Sequence, residues 1–104
     1  FAADPDVTRY WISGQDAEKA SIQYIIDGKQ TMTVFKDVRV LVKDAIAAAV
    51  ALLEDKTPNA QGAYDNQATM VPAIQSDVTV VTRENVKKAI IDSGYYDAGE
   101  FSGL

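Results

Sequence analysis

The 104-residue sequence contains neither cysteine nor histidine. No disulfide, thiolate nucleophile, Cys/His metal cage or imidazole base can be assembled from these residues, so catalysis would have to rest on carboxylates, lysine, tyrosine or serine. No metal site and no cofactor is expected. The lack of cysteine suits an exported bacterial protein and a cytoplasmic one equally, which leaves the redox compartment open. Basic residues are also few: ten Lys and Arg stand against fifteen Asp and Glu, a formal charge of -5. They are scattered, whereas a phosphate-binding surface needs them clustered, so no nucleic-acid partner is expected. No apolar run approaches the roughly 20 residues that a membrane-spanning helix requires. The longest, Val38 to Leu53, is interrupted by Arg39, Lys43 and Asp44. The opening, Phe-Ala-Ala-Asp-Pro-Asp, lacks an initiator Met and the basic start and apolar stretch of a signal peptide. It reads as an internal start, with any targeting information outside the sequence. No repeat, low-complexity tract or composition break marks a second domain.

What is present is an alternation of strand and helix signals. Asp4-Pro5-Asp6 reads as a turn. Tyr10 to Ser13 is an aromatic and β-branched run ending at Gly14, which predicts a strand covered on both faces, with Trp11 packed in the core. Apolar residues at helical spacing then predict a helix over 17–27, stopped by Gly28. Thr31 to Phe35 reads as a second strand, and Asp37 as the cap of a helix over about 38–55 that is buried on much of its surface. Pro72 confines the segment around 69–74 to a sheet edge or strand end. Val78 to Val81 is a further short strand, Thr82 can cap a last helix over about 83–93, and residues 95–104 read as a surface tail pinned by Tyr95 and Tyr96. The succession predicts an α/β fold of βαβ units with a mainly parallel sheet.

In such folds ligands sit outside the carboxyl ends of the strands, which is where Asp16 and Lys36 fall. A carboxylate acceptor and an ammonium donor at one rim suit a polyhydroxylated ligand, since charge-assisted hydrogen bonds contribute roughly 1.5–3 kcal/mol each. The same residues also fit a plainer reading, in which Asp16 caps its helix and Lys36 is solvated surface.

Three stretches carry a resemblance: Ser13-Gly14-Gln15-Asp16-Ala17-Glu18, Ile-Ile-Asp-Gly-Lys at 25 to 29, and Gln-Thr-Met-Thr-Val-Phe-Lys at 30 to 36. Tyr-Asp-Asn at 64 to 66, Val-Pro at 71 to 72, Val-Thr-Val-Val-Thr at 78 to 82 and Asp-Ser-Gly-Tyr-Tyr at 92 to 96 extend it. Together these resemble the C-terminal lobe of type I periplasmic sugar-binding proteins, in the xylose and multiple-sugar-binding branch. The resemblance implies a partial C-terminal lobe of a two-lobed fold, and a solute-binding component of an ABC importer that binds a monosaccharide of the xylose, glucose or galactose type between its lobes. Its implied partners are that sugar, a membrane permease and the missing N-terminal part of the same protein. Its implied location is periplasmic or lipid-anchored outside the cytoplasm. By the same resemblance Asp16 and Lys36 contact the sugar, Gln15 and Asn66 are rim or hinge candidates, and the segment over about 64–82 runs between lobes.

Two other classes compete. An effector-binding core of a sugar-responsive transcription regulator has the same two-lobed fold but follows a helix-turn-helix. A glycosidase could use Asp16 and Asp37 as its carboxylate pair, yet a general acid needs an apolar pocket or a like-charged neighbour, and Lys36 supplies neither. The close motif match and the lack of a nucleophile-and-base arrangement favour a binding protein without enzymatic activity.

Overall fold

The computed structural model describes residues 3–104. The described residues divide into two compact units, one made of 3–36 and 78–104, the other of 37–77.

In the first unit, β1 (Ser13–Gln15), α1 (Lys19–Ile26) and β2 (Met32–Phe35) form a βαβ element, with β1 and β2 parallel and Gly14 level with Thr33. β5 (Thr79–Val81) joins the far side of β2 antiparallel, so the sheet order is β1-β2-β5. The expected parallel unit is present, and parallel pairing stops there. Alternation along β2 sends Thr33 and Phe35 into the interior and leaves Met32 and Val34 half-buried on the other face. α1 contributes Ile22, Ile25 and Ile26 from one stripe, and these pack with Ala17, Phe35, Val81, Val86 and Ile90 into a single core. The helix stops as its sequence predicts. Gly28 takes a left-handed φ of 75°, Lys29 donates its amide to the Tyr24 carbonyl at 2.7 Å, and Gly28 donates to Ile25 at 3.1 Å.

Two expectations fail in this unit. The first strand begins three residues later than predicted, and Trp11 is 80% exposed instead of buried. Its neighbour Ile12 only brushes β2, accepting from the Thr31 and Met32 amides through its carbonyl. The last helix is a short π-wound segment, Lys87–Ile91, in which Asp92 donates to Lys87 five residues back. Neither Thr82 nor any other side chain caps it; Asn85 instead closes the turn before it, accepting from the Thr82 amide at 2.8 Å. Residues 95–104 run along the surface, none of them buried, and are fastened to the core by side chains. Tyr95 stacks edge-on against Phe35 with centroids 4.6 Å apart, and the aromatic row continues through Tyr96 to Phe101. Gln23 receives the Ser102 amide, and Lys19 pairs with Glu100 while lying over the Tyr96 ring. Tyr95 and Tyr96 thus pin the tail as expected.

The second unit holds α2 (Val38–Leu53) and an antiparallel hairpin of β3 (Gly62–Asp65) and β4 (Met70–Ala73). Asp37 caps α2 as predicted, accepting the Arg39 amide at 2.9 Å. The expected burial of this helix does not hold: none of its residues is buried, and Val42, Ile46, Val50 and Leu53 are exposed. Pro72 sits opposite Ala63 in a two-stranded ladder, where either strand is an edge.

Candidate ligand-binding site

Because β1 and β2 are parallel, their carboxyl ends lie at one edge of the sheet. Asp16 is the first residue beyond β1 and Lys36 the first beyond β2. The register brings them together, and Lys36 Nζ lies 2.8 Å from Asp16 Oδ1. Both remain accessible, the Asp16 side chain 59% and the Lys36 side chain 34% exposed. An exposed ion pair of this kind adds about 0–1 kcal/mol to stability. It therefore costs little to exchange part of it for hydroxyl groups that accept from the ammonium and donate to the carboxylate.

Asp16 is not the helix cap. α1 starts three residues later, at Lys19, preceded by Glu18, whose side chain makes no capping bond. Asp16 instead occupies a left-handed turn with φ 75°, followed by Ala17 at φ 52°. Two successive non-glycine residues in this region carry a conformational cost, of order 1–3 kcal/mol each when held by their surroundings. What holds them is β2. The Asp16 amide donates to the Val34 carbonyl at 2.8 Å, and the Ala17 amide donates to Thr33 Oγ1 at 3.3 Å. Ala17 itself is fully buried, so the turn dips into the core immediately after presenting Asp16.

Gly14 is required by close approach. A Cβ there would stand 2.4 Å from Gln30 Nε2, and that amide is tied to Ser21 Oγ at 2.6 Å and the Met32 carbonyl at 3.0 Å. Gln15 ends β1, exposed and level with Val34, next to the pair. Asn66 belongs to the other unit. There its Oδ1 accepts from the Ala68 amide at 3.0 Å and the Thr69 amide at 2.8 Å, closing the β3–β4 turn in which Gln67 is left-handed. Asp37 is held ionised by Arg39, whose guanidinium hydrogen-bonds it and lowers its pKa, the opposite of what a general acid needs. Thr33, Ala17 and Gln30 were not singled out by the sequence reading. The one available signal was the polar β-branched residue at an inward position of an otherwise apolar strand face. Among the described residues no cluster of three or more acidic side chains is arranged to hold a metal ion.

No family model matches the chain. It is 67% identical to a carbohydrate-transporter solute-binding protein from Chloroflexus aurantiacus, solved in complex with D-glucose. That match covers 99% of this chain and 30% of the other, with a TM-score of 0.92. It is 37% identical over 91 residues to the multiple sugar-binding periplasmic receptor ChvE of Rhizobium radiobacter, covering 86% of this chain and 26% of the receptor. It is 36% identical over 89 residues to the D-xylose-binding periplasmic protein of Escherichia coli, covering 86% of this chain and 27% of that protein. The chain thus spans about a quarter of the length of the curated relatives it matches. It is homologous to periplasmic sugar-binding proteins of the xylose and multiple-sugar branch, and corresponds to their C-terminal part.

Proposed function

We propose that the intact protein containing this chain is the solute-binding component of an ABC importer. It takes up a monosaccharide of the aldose class outside the cytoplasmic membrane and hands it to a membrane permease, with no catalytic step. Asp16 accepts from a sugar hydroxyl, Lys36 donates to one, and Gln15 lies at the rim. The observation that carries this reading is the Asp16–Lys36 pair, 2.8 Å apart and accessible at the shared end of two parallel strands. The relatives support it, since they are solute-binding proteins and the Chloroflexus aurantiacus protein is solved with D-glucose. Xylose, glucose and galactose all present the hydroxyl pattern that such a pair can bridge. Choosing among them takes several polar contacts acting together.

A thermal-shift panel of aldoses on the intact protein tests the reading, because a ligand that binds only the folded state raises the melting temperature with concentration. At least one aldose should do so at micromolar to millimolar concentration. Absence of any shift, or glycoside turnover that Asp16→Asn abolishes, would contradict it.

A further inference from the structure

The two peptide groups flanking the Asp16 Cα are both anchored to β2, one on each side. The preceding amide is tied to the Val34 carbonyl and the following one, the Ala17 amide, to the Thr33 hydroxyl. Fixing both peptide planes fixes the Cα–Cβ direction, and with it where the carboxylate stands relative to Lys36. The first anchor is main chain to main chain. The second depends on a side chain, and that side chain is 0% exposed. It restrains Asp16 at φ 75° and Ala17 at φ 52°, a conformation that neither residue type favours when free.

We infer that Thr33 is a positioning residue of the ligand site, holding the left-handed turn that aims Asp16, a role that rests on Asp16 being the sugar contact proposed above. Thr33 touches no ligand. Its hydroxyl satisfies a buried amide that would otherwise be unpaired, and without it the turn relaxes toward ordinary backbone and carries the carboxylate away from Lys36.

The test is a calorimetric titration of D-glucose into the intact protein and its Thr33→Val, Thr33→Ser, Asp16→Ala and doubly substituted Thr33→Val/Asp16→Ala variants. Thr33→Val keeps the side-chain shape and deletes the hydroxyl, and should weaken binding about tenfold, the scale of one lost buried hydrogen bond. Thr33→Ser restores the acceptor and should bind within a factor of about two of the parent. In the Asp16→Ala background Thr33→Val should cost nothing further, because there is no carboxylate left to aim. Amide exchange at Ala17 should accelerate in Thr33→Val and stay slow in Thr33→Ser. Should Thr33→Val fail to fold, Thr33→Ala carries the same comparisons. Parental affinity in Thr33→Val, an equal loss in both backgrounds, or unchanged Ala17 protection would overturn the role of Thr33. Parental affinity in Asp16→Ala would instead overturn the reading of Asp16, and the role of Thr33 with it.

Discussion

At the scale of single residues, geometry separates groups that build the site from groups that occupy it. Lys36 and Asp16 are accessible, so Lys36→Ala should change folding stability by less than about 1 kcal/mol in denaturant unfolding. A larger loss would mean the pair is structural. Gly14→Ala is the opposite case. Its Cβ would meet Gln30 Nε2 and break the amide's bonds to Ser21 and Met32, for an expected loss of about 1–2 kcal/mol. An unchanged denaturation midpoint would show that Gln30 moves aside freely. Asp16, Lys36 and their shared rim were legible in the sequence, because strand-end position follows from the β-rich run and the polar residue that ends it. Thr33 was not, because a threonine in a strand looks the same whether its hydroxyl meets water or a buried amide. Trp11 misled for a related reason. An aromatic, β-branched run signals a surface to be covered, yet β2 begins to pair only at Ser13.

At the scale of elements, periodicity located α1 and β2 to within two residues, and Gly28 and Asp37 marked their ends. It gave no warning of the π winding at Lys87–Ile91, since the same apolar stripe serves i+4 and i+5 bonding. It anticipated a tail pinned by Tyr95 and Tyr96, yet not its docking through Gln23 to Ser102 and Lys19 to Glu100, which join residues about 80 positions apart. That docking has a pH signature. Hydrogen bonding to Lys19 lowers the Glu100 pKa below its ordinary 4.5, and Gln23 with Lys29 lowers that of Asp27 below 3.8. A carboxylate with a depressed folded-state pKa contributes stability that is complete above its unfolded value and is lost as pH falls through the folded one. The tail should therefore loosen below about pH 4.5 and not between pH 5 and 8. Amide exchange at Phe101 and Ser102 measures it, and Glu100→Gln should flatten the response. Loosening at neutral pH would point to another group.

For the whole molecule, the governing fact is that the chain spans about a quarter of its relatives. Under the proposed function the intact protein encloses a sugar between two lobes, and closure would exclude the water that competes for Asp16 and Lys36. The 104 residues alone should therefore bind aldoses more than about a hundredfold more weakly than the intact protein. The exposed apolar residues of α2 should also drive self-association, visible by sedimentation. A monodisperse monomer with micromolar sugar affinity would show a complete binding module. The uncovered α2 marks the limit of the sequence reading, because an apolar stripe states that something covers it without stating what.

The central claim is that Asp16 and Lys36 hold the sugar, and calorimetric titration of an aldose against Asp16→Ala and Lys36→Ala in the intact protein tests it most directly. Each substitution removes one charged partner from a closed cleft and leaves a hydroxyl unpaired, so each should weaken binding by about 1.5–3 kcal/mol, roughly ten- to a hundredfold, with the melting temperature of the sugar-free protein nearly unchanged. Parental affinity in both variants would place the sugar elsewhere.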